Sequence, residues 1–302
     1  MNTRASWAGQ ALPGLALTFN ALAWGLAWWP LRQMDRLGLH PLWTTADVFA
    51  CACLVIVATQ PRALSEVLRS PVMWTLLLAS GATNTAFNWA VTIGDVVRVV
   101  LLFYLMPLWT VVLARWLLRE RLTALTLLRV ALALAGAAAV LAPASGSGWG
   151  WPLPRTLPDA LGIAGGFFFA LNNVLLRREA ARSDASRAMA MFLGGAVIAG
   201  ASAALLATAN VVPWPGPLSG PVVAGVLALG SVFLFSNFAL QYGAARLPAN
   251  AAAVIMMSEV LFATLSSVWL DSTVLHPQIL WGGGLILLAA LLSLYPEPQS
   301  SA

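Results

Sequence analysis

Glu259 sits in the run Met256-Met257-Ser258-Glu259-Val260, near the middle of an apolar stretch of helix length, where it is the only carboxylate at that depth. An acid placed there is costly and faces a bundle interior or a wet cavity. Two chemistries suit it: relaying a proton, or pairing with the ammonium group of a solute. The plainer alternative is a structural acid hydrogen-bonded to a neighbouring helix.

Amides make the second group. Asn84 and Asn88 are four apart in one apolar stretch, and Asn237 and Gln241 repeat the spacing in another. Residues four apart share a helix face. Asn20 lies in the first stretch, and Asn172 and Asn173 in the sixth. Such amides can hold a zwitterion without demanding net charge, or can serve as interhelical glue at roughly 1 kcal/mol each. A polar face in each half of the chain favours cavity lining. Aromatic rings at similar depth complete the set: Trp24, Phe87, Phe103, Tyr104 and Phe169. Rings can stack on an aromatic solute or hold a cation. Trp24 and Tyr104 stand out because both are central in depth and close to the amides. Expected substrate contacts are therefore Asn20, Trp24, Asn84, Asn88, Tyr104, Phe169, Asn173, Asn237, Gln241 and Glu259.

No catalytic residue, metal or cofactor is expected. The two histidines, His40 and His276, lie near loop prolines, and no phosphate-binding glycine loop follows a strand. Cys51 and Cys53 are two apart on one predicted helix, so they point to different faces and form neither a disulfide nor a metal pair. Arg98 lies two residues into the fourth stretch, where it can snorkel to the interface or attract a carboxylate. Pro107 removes a backbone donor and predicts a kink in the same stretch.

The elements that must position these residues are ten apolar stretches, over 13–32, 44–59, 72–93, 96–116, 123–141, 159–177, 187–209, 221–243, 249–270 and 277–295. Hydrophobic residues make up 60% of the chain and charged residues 9%, far below the quarter usual in soluble domains. Solid blocks of this length exclude the alternating pattern of a barrel, so the chain reads as an all-α integral membrane protein. Its net charge of +5 reflects sixteen basic residues, all Arg, which flank the stretches except for Arg129 inside the fifth. With the N-terminus cytoplasmic, eleven fall inside and four outside, which places both termini inside. The basicity is topological and points to no nucleic-acid partner.

Residues 86–116 align with 239–269 without a gap at an offset of 153 residues, the difference between 241 and 88; Asn88 meets Gln241, Trp89 meets Tyr242 and Trp116 meets Trp269. Five spans per repeat force the two copies to cross the bilayer in opposite senses. Inverted repeats around a midplane site characterise secondary transporters. The Pro-, Gly- and Ser-rich linker from Ala142 to Pro158, with Trp149 and Trp151 at headgroup level, divides residues 1–145 from 146–302. Gly94-Asp95 and Arg246-Leu247-Pro248 make matching tight hairpins.

The run Tyr104-Leu105-Met106-Pro107-Leu108-Trp109-Thr110-Val111, with Leu118-Arg119-Glu120-Arg121-Leu122-Thr123, Gly136 and Trp24-Gly25, resembles the drug/metabolite transporter superfamily in its ten-helix, two-repeat, EamA-type branch. The second repeat departs from the pattern: Val260 follows Glu259 where Pro is common, and Thr273 stands where Glu120 does. Through Val99–Trp109 the chain is most similar to the bacterial aromatic amino acid exporters of that branch. The resemblance implies a bacterial inner-membrane exporter of aromatic and other neutral amino acids, tolerant of amphiphilic drugs. It also implies a cavity between helices one, three, four, six, eight and nine, with five and ten behind. A proton-coupled multidrug or metabolite carrier is the alternative within the class; a membrane scaffold or lipid-modifying enzyme is the alternative outside it.

Overall fold

The computed structural model describes residues 3–117, 124–142, 153–179, 181–217, 219–244, 246, 255–256, 258–271 and 275–292. Its described elements are all helices: α1 (Thr3–Leu26), α2 (Trp28–Arg36), α3 (Pro41–Thr59), α4 (Arg62–Arg69), α5 (Pro71–Ile93), α6 (Val96–Phe103), α7 (Met106–Leu117), α8 (Ala124–Leu141), α9 (Leu157–Arg178), α10 (Asp184–Thr208), α11 (Gly220–Ala244), α12 (Ser258–Asp271) and α13 (Pro277–Leu292). Over its described residues each of the ten apolar stretches falls mainly on helix; the start of the ninth, the first residue of the fifth and the end of the tenth lie outside the described residues. So do Glu120, Thr273, Trp149, Trp151 and the Leu247-Pro248 hairpin.

Helix starts follow local chemistry. Pro41 and Pro71 occupy first-turn positions of α3 and α5, where a missing N–H costs nothing. Asp95 caps α6 by accepting from the Arg98 N–H at 2.7 Å, and Ser183 caps α10 by accepting from the Ser186 N–H at 3.2 Å. Gly94-Asp95 makes the short α5–α6 turn that the sequence indicates.

Two stretches are divided. The first breaks at Ala27, and the fourth breaks at Tyr104-Leu105. The second break lies just before Pro107, which falls in the first turn of α7; the kink expected from this proline is a full interruption. The short helix α4 lies between the second and third stretches. Its apolar side holds Ala63 and Val67, both buried, and its length hides it from a search for spans.

Among the described residues four helices are long and apolar enough to cross a membrane: Pro41–Thr59, Leu157–Leu176, Asp184–Thr208 and Gly220–Gly243. α5 has the length, but Ser80, Thr83, Asn84, Thr85, Asn88 and Thr92 lower its hydropathy. That polarity is an inward face, since all but Asn84 are buried.

Side-chain contacts fix the directions of the helices. Arg32, beyond the end of α1, reaches the end of α5 through Thr92 and Gly94 and the end of α12 through Asp271. Hence α1, α5 and α12 point the same way. α6 and α9 both begin at that end, joined by Arg98 and Asp159. The end of α11 meets the start of α1, where a Cβ on Gly243 would contact Leu17 and Pro13. Therefore α1 and α9, α5 and α11, and α6–α7 and α12 run in opposite senses.

Small residues bring the helices together. A Cβ on Gly136 of α8 would stand 2.6 Å from the Gly282 oxygen, and one on Gly282 of α13 would stand 2.7 Å from the Gly136 oxygen. Gly81 of α5 and Gly194 of α10 make the same reciprocal approach. Only a residue without Cβ permits such crossings. The outside is apolar: Trp116 and Trp269, matched at the 153-residue offset, are 84% and 85% exposed.

Candidate functional site, a cavity between eight helices

A cavity of about 130 Å³ lies at the centre of the bundle. Its wall is drawn from α1, α3, α5, α6, α9, α10, α11 and α12, together with Met256 just before α12. The resemblance implies lining by the first, third, fourth, sixth, eighth and ninth stretches. The second and seventh contribute as well, through Phe49 of α3 and Met191 and Phe192 of α10. α8 and α13 pack on each other and add nothing to the lining.

Four pairs of lining residues stand 153 apart: Ser80 and Phe233, Asn84 and Asn237, Phe87 and Leu240, Phe103 and Met256. The first member of each is on α5 or α6; its mate is on α11 or just before α12. Phe49 and Phe192 meet each other with ring centroids 5.4 Å apart.

Aromatic rings form a continuous band. Trp24 stacks on Phe233 at 4.6 Å with 11° between the planes, and meets Phe87 edge-on at 6.4 Å. Phe87 contacts Phe103 at 4.8 Å, and Phe103 contacts Phe169 at 5.3 Å. Gly25 beside Trp24 lets α1 close onto α12, for a Cβ there would stand 2.8 Å from the Glu259 carbonyl oxygen.

Polar groups are held in defined ways. The Asn20 amide donates to the Ser236 carbonyl at 2.8 Å and meets its hydroxyl at 2.6 Å, tying α1 to α11. Its own carbonyl oxygen is buried without a hydrogen-bond partner, as is that of Asn172. Asn84 donates to the Ser80 carbonyl of its own helix at 2.9 Å. Gln241 donates to Asn237 at 2.7 Å, so the i, i+4 pair on α11 meets as its spacing suggests. The buried Tyr104 hydroxyl reaches a Glu259 carboxylate oxygen and the Met256 carbonyl, each at 3.4 Å.

Six of the ten expected contacts line this cavity: Asn20, Trp24, Asn84, Phe169, Asn237 and Glu259. Tyr104 adjoins it through Glu259. Gln241 lines a second cavity of about 360 Å³, at the opposite end from Arg32, with Asp184, Tyr242 and Arg246. Asn88 is fully buried against α3, donating to the Thr45 hydroxyl at 3.2 Å. Asn173 is half-buried and its neighbour Asn172 is the lining residue. Phe49, Phe192 and Phe233 escape sequence reasoning, because an aromatic residue in an apolar helix carries no mark of the side it faces.

Arg98 does not wait for an outside carboxylate. It makes a two-pronged pair with Asp159 at 2.6 and 3.0 Å and donates to the Val140 carbonyl at 2.7 Å, joining α6, α9 and α8. Cys51 and Cys53 are free thiols. Among the described residues no group of three His, Cys, Asp or Glu has metal-binding proximity.

Residues 13–142 match the model of the EamA-like transporter family. The chain is also similar to a solved structure titled only "Crystal structure of protein", at 20% identity with a TM-score of 0.59, over 93% of this chain and 96% of that one. At that identity the likeness shows a shared fold. No curated protein matches the sequence. The matched residues make up less than half of the 302-residue chain.

Proposed function

We propose that the chain is a secondary transporter built from two inverted five-helix repeats, residues 1–145 and 146–302, that moves a small aromatic amphiphile by alternating access. The observation that carries this reading is the cavity wall, whose members recur at one offset on helices running in opposite senses. A single chamber at a repeat interface is where such carriers hold their cargo. The cargo implied by the family resemblance is an aromatic or other neutral amino acid, exported across a bacterial inner membrane.

Orientation follows from charge. The end opposite Arg32 carries Arg62, Arg69, Arg182, Arg187 and Arg246 among the described residues, and that end is the cytoplasmic one in this proposal. Both termini lie on the same side. Proton coupling is the second reading, favoured by the contact between Tyr104 and Glu259.

Counterflow of labelled Phe, Leu, Glu and a cationic drug in proteoliposomes tests the proposal. Exchange of at least one solute is the expected result. Exchange of none by folded, inserted protein removes the transporter. For the second reading, Glu259→Gln should abolish flux driven by a pH gradient while leaving counterflow; equal gradient-driven flux in both proteins rules coupling through Glu259 out.

A further inference from the structure

The polar groups around the central cavity differ in sign from what a zwitterion needs. Among the described residues Glu259 is the only charged one in its lining. Several donors are already committed to the protein: the Asn20 amide to Ser236, the Asn84 amide to Ser80, the Ser80 hydroxyl to the Met191 carbonyl at 3.4 Å and the Thr83 hydroxyl to the Ala79 carbonyl at 2.8 Å, while the Asn237 amide and the Trp24 indole N–H donate to no described residue. Acceptors remain. The Asn20 orientation is fixed, because a backbone carbonyl can only accept, and its side-chain oxygen is left buried with no partner. Asn172, 2% exposed, also carries an unpartnered oxygen.

We infer that the cavity selects an aromatic amine whose carboxylate is absent or masked, holding the ammonium at Glu259 and the ring within the band formed by Trp24, Phe87, Phe103 and Phe233. This narrows the cargo of the transporter proposed above and rests on that reading. An ammonium has three donors and no acceptor, which matches a carboxylate and spare amide oxygens. The faces of the neighbouring rings add a further attraction for a cation. A free carboxylate entering the same space would meet the Glu259 carboxyl and, among the described residues, no positive charge. Burying it unpaired is strongly unfavourable. Arg246, which could hold a carboxylate, lines the separate cavity at the other end.

The test uses the full chain in lipid nanodiscs, with binding of phenethylamine, phenylalaninamide, phenylalanine and 3-phenylpropionate measured by calorimetry. The two amines should bind at least about tenfold more tightly than phenylalanine, a gap of about 1.4 kcal/mol. 3-Phenylpropionate should not bind. Glu259→Gln should weaken both amines by about tenfold or more. If that variant does not fold, the wild-type series decides alone. Phenylalanine binding as tightly as its amide overturns the inference, and so does undiminished amine binding by folded Glu259→Gln. Counterflow of the same probes separates the two proposals. Exchange of phenylalanine but not its amide leaves a transporter and removes the selectivity. Tight amine binding without exchange of any probe leaves the selectivity and removes the transporter.

Discussion

On α5 and α6 the cavity wall presents Ser80, Asn84, Phe87 and Phe103; at the matched positions of α11 and beyond stand Phe233, Asn237, Leu240 and Met256. Only the asparagine is retained. A small hydroxyl faces a large ring at one pair, and a ring faces an aliphatic chain at two others. Charge is unequal too, because Glu259 corresponds at the same offset to Met106. Two identical walls would offer a cargo two equivalent orientations. Unequal walls would fix one.

Trp24 bridges the walls, touching Phe87 of one and Phe233 of the other. Trp24→Ala should therefore have the largest effect, a loss of about 3 kcal/mol in stability. Denaturation in detergent or nanodiscs reads it, and a loss confined to transport would mean that the band does not hold the walls together. Ser80→Phe copies the second wall onto the first. It should abolish counterflow by filling the cavity, with a stability cost of about 1–3 kcal/mol from overpacking. Normal counterflow by that variant would place the cargo elsewhere.

The retained asparagines sharpen the comparison. Asn84 donates into its own helix, whereas Asn237 accepts from Gln241 and makes no other hydrogen bond among the described residues. Asn237→Ala should lower counterflow about tenfold and Asn84→Ala by clearly less, since a group engaged with solute contributes about 1–1.5 kcal/mol. Equal losses would make the two walls functionally alike.

The smallest effect concerns His40, outside both walls. Its Nδ1 accepts from the Leu42 N–H at 3.3 Å as the cap of α3. Burial lowers its pKa below the ordinary 6.5, against an opposing pull from Asp35. A group with a depressed cationic pKa adds stability above its unfolded value, and that contribution is lost as pH falls. The melting temperature should fall modestly as pH drops below 6.5, and His40→Asn, which keeps a capping oxygen, should flatten that slope.

Much of the architecture was legible because its main signal, a solid apolar block of helix length, is strong. Asn84 and Asn237, 153 residues apart in the chain, both reach the cavity wall. The breaks were harder. Pro107 announced a disturbance near Tyr104, but a proline does not say whether a helix bends or stops. Asn88 illustrates the limit of face arguments: four residues from Asn84, it meets Thr45 of α3 instead of the cavity, because α5 is surrounded by several helices. Asp159 was passed over because a carboxylate at the start of a helix is unremarkable until Arg98 is seen beside it.

The interruption at Tyr104-Leu105 divides the fourth crossing into unequal partners. α6 is moored by Arg98 to two other helices, while α7 begins at Met106 after a two-residue turn that interrupts the helix. A helix interrupted there transmits torque poorly along its length. Any bend at that turn would tilt the twelve-residue α7 and leave the Arg98 mooring in place.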